Sequence, residues 1–124
     1  MMSRVGHSMS WDEWHTMADM YTYLDHLATT YPWVTVESLG QSFEGQDMRV
    51  AKVGFFSIFY CIRSKLFIIK VCRGEGGCGH KPAMWVDGGI HAREWISPAV
   101  NTFLLRELVE NDAAHPEFTQ ELDW

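Results

Sequence analysis

The chain has 124 residues, of which 47% are hydrophobic: enough for one domain with its own core, and too apolar for wholesale disorder. Its formal net charge of −6 argues against a nucleic-acid binder, which would show a basic face. No stretch is long and apolar enough to span a bilayer as a helix, and residues 1–10 are polar, without the apolar core of a secretory signal. Six Trp and seven Phe point to an aromatic-rich core or groove.

Ser10 to Glu13 has the spacing of a capping box, and Thr16, in T-M-A-D, offers a second N-cap candidate for the first helix. Met17, Met20, Tyr21, Leu24 and Leu27, with Tyr23 beside them, then recur at three- and four-residue steps. They predict one core-packing face of a helix that Pro32 stops near Tyr31. Residues 34–39, V-T-V-E-S-L, alternate and are rich in β-branched side chains, as a strand requires. Residues 40–47 carry Gly40 and Gly45 and read as a hairpin loop, with 48–53 as the return strand. Residues 83–87, A-M-W-V-D, lie between Pro82 and Gly88 and read as a short buried strand. Ser97-Pro98 is a helix entry, with Ser as N-cap and Pro at the first helical position. The helix that follows, over residues 99–109, sets Val100, Phe103, Leu104 and Leu108 on one face. Pro116 precedes a short helix over 117–122. The order is helix, three strands, two helices. That is α/β but incomplete, because three strands are a small sheet for this many helices and the chain stops where a further strand is expected.

Residues 54–71, G-F-F-S-I-F-Y-C-I-R-S-K-L-F-I-I-K-V, interrupt this order. They are apolar without a period, high in β-propensity and low in charge. The plain reading is an extra buried strand. A second reading starts from a duplication: Lys-Val occurs at Lys52-Val53 and again at Lys70-Val71. Excising residues 53–70 leaves A-K-V-C-R-G unbroken and in frame. A valine codon begins GT and a lysine codon can end AG, the usual ends of an intron. The segment then reads as an aberrant insertion, a retained intron or an error in the gene structure, with a genuine coding insertion as the alternative. Of the three cysteines, Cys61, Cys72 and Cys78, the last two flank the Gly-rich 73–77 and could close a small disulfide loop. Their spacing suits a zinc knuckle poorly.

The chemistry concentrates in residues 89–98, G-I-H-A-R-E-W-I-S-P. His91 and Glu94 are three apart, which brings both side chains to one side of a short turn. Gly88-Gly89 lets the backbone bend sharply as it leaves the strand. The carboxyl end of a strand is where open α/β sheets place ligands. Catalytic zinc needs three protein ligands and an open position, and imidazole and carboxylate are suitable donors. A bare H-x-x-E is a weak signal, and its plain reading is a surface ion pair.

The longer run W-V-D-G-G-I-H-A-R-E-W-I-S-P resembles the zinc motif of the funnelin-type metallocarboxypeptidases, the carboxypeptidase A/B family. The resemblance extends upstream to W-D-E-W-H-T, the Y-P at the helix end, S-L-G-Q-S-F-E-G-Q-D-M-R-V and K-P-A-M-W, and downstream to P-E-F-T-Q-E-L-D-W. It covers nearly everything except the interrupting segment. It implies a carboxypeptidase-type α/β/α sandwich with a mixed sheet, of which residues 1–124 are the N-terminal part. It also implies a Zn2+ cofactor, peptide or protein C-termini as substrate, a secreted monomer, and no nucleic-acid or membrane partner. Carried over residue by residue, His91 and Glu94 become two zinc ligands. Arg93 lines the substrate subsites and helps to polarise the scissile carbonyl; without the resemblance it reads as half of a surface salt bridge. The family's third ligand, general base and carboxylate-binding residues lie further along the chain than Trp124. No catalytic residue is therefore assigned here, and the chain by itself is expected to be inactive. The rival reading is a non-catalytic fragment or binding decoy. The related acylases and deacylases also use H-x-x-E, but the A-R-E-W run speaks against them. His7, His15, His26, His80 and His115 have no matching motif and read as surface or packing residues.

Overall fold

The structure, a computed structural model, describes residues 7–53, 67–71 and 84–114. The expected helix over 117–122, the Cys72–Cys78 loop and most of the interrupting segment lie outside those residues. Helix α1 spans Met17–Thr30, and strands β1 and β2 span Val34–Gln41 and Asp47–Val53. Strands β3 and β4 span Phe67–Val71 and Met84–Gly88, helix α2 spans Ile96–Val109, and a 3-10 turn covers Asp112–Ala114.

Of the two N-cap candidates, only Thr16 starts the helix, and it does so as a capping box with Asp19. The Thr16 hydroxyl accepts from the Asp19 N–H at 3.2 Å, and the Asp19 carboxylate accepts from the Thr16 N–H at 2.8 Å. Both donors would otherwise be orphaned at the helix start. Ser10 instead spends its groups locally: its hydroxyl donates to Glu13 at 2.9 Å and its N–H to His15 Nε2 at 3.0 Å. At the other end Tyr31 sits at φ −115, ψ 114, the extended conformation that a following proline imposes. The buried face is Met20, Tyr23, Leu24 and Leu27. Tyr21 lies at its edge, with its hydroxyl donating to the Asp47 carbonyl at 2.6 Å and the Arg49 guanidinium over its ring.

Among the described residues the sheet has four strands in the order β1-β2-β3-β4. β1 and β2 are antiparallel, β2 and β3 parallel, and β3 and β4 antiparallel, so the sheet is mixed. The hairpin turn is tighter than the sequence predicts. β1 runs on to Gln41 across an irregularity after Ser38, and the left-handed Gly40 and Gly45, at φ 105 and 77, absorb the bend. The expectation of three strands is corrected by β3. F-I-I-K-V, with its β-branched and aromatic side chains, pairs on both edges between β2 and β4.

Both helices share one core with a single face of β1 and β2. Val34, Ala51 and Val53 meet Met20, Tyr23, Leu24 and Leu27 of α1 and Leu105 and Val109 of α2, with Met9 closing one side. Alternation along β2 sends Val50 to the other face, where Leu39 packs on it. α2 departs from its sequence reading in two ways. It starts one residue before Ser97, with Trp95 at the N-cap and no side-chain cap. Pro98 is still within the first turn, where its missing N–H has no intrahelical partner to lose. Its buried face is Asn101, Thr102, Leu105 and Val109, whereas Val100 and Phe103 stay 53% and 45% exposed.

Candidate metal-binding turn

Chain direction reverses between β4 and α2 over a few residues. Gly89, at φ 92, makes the bend that an L side chain rarely adopts. Gly88 has a different task. A Cβ there would lie 2.7 Å from Asn101 Nδ2 and 3.0 Å from the Ser97 carbonyl carbon and oxygen, so its bare backbone lets the start of α2 close on the strand end. The Ser97 hydroxyl ties the turn together: it accepts from the Gly89 N–H at 2.8 Å and donates to the Glu94 carbonyl at 3.0 Å. Within the turn the Glu94 N–H donates to the His91 carbonyl at 2.9 Å, and the Ser97 N–H to the Glu94 carbonyl at 3.1 Å.

This frame brings the His91 and Glu94 side chains together, with Nδ1 2.9 Å from Oε1. Both point to solvent, their side chains 68% and 52% exposed. Arg93, between them in sequence, is exposed too. Two donors on one tetrahedral zinc lie about 3.4 Å apart, given bonds of about 2.0–2.2 Å. The observed pair is within half an ångström of that separation, and two exposed side chains adjust freely. An imidazole nitrogen and a carboxylate oxygen converging from one turn therefore fit a zinc ion, with room left for further ligands. Among the described residues no third His, Cys, Asp or Glu atom joins this pair.

Beside the turn lies a cavity of about 330 Å³ lined by Gly89, Ala92, Glu94, Trp95 and Pro98 on one side and by residues 14–17 with Met20 on the other. Trp14 and Trp95 both line it with rings edge to face, 6.2 Å between centroids, and each about 60% exposed. Sequence reasoning gave Trp14 no role beyond the helix entry. Its only signal there was a large aromatic at a polar cap.

Residues 20–124 match the profile of the zinc carboxypeptidase family, peptidase M14. The chain belongs to the zinc carboxypeptidase family. It is 33% identical over 117 residues to a carboxypeptidase B of Astacus astacus, covering 94% of this chain and 32% of the relative. It is 30% identical over 116 residues to a zinc carboxypeptidase A 1 of Anopheles gambiae, covering 92% of this chain and 22% of the relative. Carboxypeptidase A1 of Bos taurus is 28% identical over 122 residues, 98% of this chain and 24% of the relative. The chain thus spans about a third or less of the length of these relatives. No solved structure matches it significantly. Membership in this zinc carboxypeptidase family makes zinc the metal to consider, and the mixed α/β architecture agrees with it.

Proposed function

We propose that His91, through Nδ1, and Glu94 are two ligands of a catalytic zinc in a carboxypeptidase that releases C-terminal residues from peptides. The observation that carries the reading is the 2.9 Å approach of these two donors on a turn held by Ser97, in a chain of this family. Bound zinc supplies Lewis-acid polarisation of a carbonyl and lowers the pKa of a coordinated water. The chain's own residues do the rest of what is local. His91 and Glu94 fix the position of the ion at the carboxyl end of β4. Arg93, next to Glu94 in sequence and exposed, carries a rigid fork of N–H donors of the kind that holds a peptide carbonyl or carboxylate. Trp14 and Trp95 wall the adjoining cavity.

The family resemblance puts the third ligand and the proton-accepting base outside these 124 residues, and on that reading the 124-residue chain by itself binds zinc here weakly and does not hydrolyse peptides. The working enzyme is a secreted monomer acting on peptide or protein C-termini; secretion rests on the family resemblance. Residues 53–70 are foreign to it. The rival reading, a non-catalytic fragment or decoy, has one observation in its favour, the same lack of a third donor beside His91 and Glu94.

Side-chain NMR of the histidines tests the metal assignment. Added zinc shifts the His91 imidazole resonances in the 124-residue chain and leaves them unmoved in Glu94→Gln. A His91 resonance that ignores zinc in the unaltered chain sinks the assignment. With a blocked dipeptide the chain gives no chelator-sensitive hydrolysis; any such hydrolysis refutes its incompleteness. In a carboxypeptidase containing this turn, His91→Ala lowers zinc affinity by more than the roughly 10–100-fold cost of altering an outer-shell partner. Arg93→Ala there keeps the zinc and raises KM.

A further inference from the structure

A second group of metal donors lies outside the turn. His7 precedes α1, His26 is on α1, and Glu110 is the C-cap of α2. One donor atom from each lies within 4.8 Å of the other two, and all three residues are half-buried. His7 Nε2 is 3.3 Å from Glu110 Oε1, and the His7 and His26 rings stand 5.0 Å apart at 58°. We propose that His7, His26 and Glu110 form a structural site for a zinc-type divalent ion that clips the segment before α1 to both helices.

Three physical points support this. First, two imidazoles and one carboxylate select zinc, cobalt or nickel over calcium or magnesium, which take oxygen donors. Second, the donors need only about an ångström of movement to reach the roughly 3.4 Å separation of ligands on a tetrahedral ion. Third, the site is electrostatically prepared for a cation. Glu110 places a carboxylate at the negative end of the α2 dipole, where an anion is disfavoured. The nearby cation, Arg106, lies over the Trp11 ring and pairs with Glu107 at 3.5 Å. A dication between His7, His26 and Glu110 offsets the charge more fully and ties together three parts of the chain that are far apart in sequence. Nothing in sequence spacing could have announced it.

The test uses the 124-residue chain with His91→Ala and Glu94→Gln, so that the turn cannot contribute. That protein retains one equivalent of zinc after gel filtration, and its thermal midpoint rises when zinc is added. Cobalt gives the visible absorption of a tetrahedral nitrogen and oxygen site. Adding His26→Gln, or separately the near-isosteric Glu110→Gln, removes the bound equivalent and the thermal shift. Four results overturn the proposal: no bound zinc, zinc held at surplus concentration only, retention unaffected by both substitutions, or cobalt with the near-ultraviolet charge transfer of cysteine thiolates. A His7–Glu110 ion pair without metal would show as a midpoint indifferent to zinc.

Discussion

Thr16 and Asp19 show how much one pair of side chains decides. The Thr16 hydroxyl and N–H both donate to the Asp19 carboxylate, at 2.6 and 2.8 Å, and hold its pKa below the ordinary value of 3.8, the hydroxyl contributing most. The nearby dipole at the start of α1 favours the same charge. Replacing Thr16 by Ala costs about 1 kcal/mol, the usual worth of an N-cap side chain, read as a shift in the urea midpoint. The pH dependence has a definite sign. A carboxyl whose folded pKa is depressed stabilises above its unfolded value of 3.8 and loses that contribution as pH falls through the lower folded value. The stability gap between the parent and Asp19→Asn therefore stays constant from neutral pH down to about 4 and closes below it. A gap that stays constant into strong acid would show that the carboxylate charge contributes nothing. At this scale the sequence was partly legible. It offered a capping-box spacing at Ser10 and a second N-cap candidate at Thr16, and could not choose, because the choice rests on His15 drawing the Ser10 N–H into a local contact. The meeting of His91 with Glu94 was legible because both lie three apart in one continuous motif. His7, His26 and Glu110 were not, because only the packing of α1 against the end of α2 brings them together.

Among the elements, α2 shows where pattern reading reaches its limit. Its apolar positions predict a face through Val100, Phe103, Leu104 and Leu108, yet the buried face carries Asn101 and Thr102. The close approach of α2 to Gly88 fixes the helix rotation and overrides the hydrophobic pattern. Asn101 sits where a Gly88 side chain would be, and Thr102 hydrogen-bonds the Ala99 carbonyl at 2.9 Å, which makes its burial tolerable. Gly88→Ala tests this account. Its Cβ would meet Asn101 Nδ2 at 2.7 Å and the Ser97 backbone at 3.0 Å, so α2 must shift away from β4. The cost is about 1–3 kcal/mol, as for other overpacked sites, measured by chemical denaturation. Adding Asn101→Ala recovers only part of it, because the Ser97 carbonyl belongs to the backbone and cannot rotate aside. Full recovery in the double variant would place the strain on the Asn101 side chain alone. The same shift displaces the Ser97 hydroxyl from the Gly89 N–H, so the zinc binding proposed for His91 and Glu94 should weaken together with stability.

For the whole molecule the open question is β3, and the register of the sheet sharpens it. In the parallel pairing of β2 with β3, Lys52 lies beside Lys70 and Val53 beside Val71, so the duplicated Lys-Val dipeptides are direct neighbours. Excising residues 53–70 joins Lys52 to Val71 and restores D-M-R-V-A-K-V, the full sequence of β2, unaltered. The excision therefore does not damage β2. Its structural effect is to take away Phe67–Lys70, the residues that bridge β2 and β4. A sheet cannot keep two facing edges unpaired in its interior, because each exposes a row of N–H and C=O groups. A working carboxypeptidase without residues 53–70 must fill that slot with another strand. The length of the relatives beyond the third or less that this chain spans is ample to supply one. F-I-I-K-V, apolar and β-prone, then occupies the slot in this chain because it suits a central strand paired on both edges, whatever its origin. Peptide mass spectrometry of the natural protein, with the transcript read across the same region, decides between the two origins. The retained-intron reading predicts a peptide running A-K-V-C-R and none from residues 54–66. A natural peptide containing F-F-S-I-F refutes it, and β3 is then a genuine central strand whose deletion should unfold the sheet.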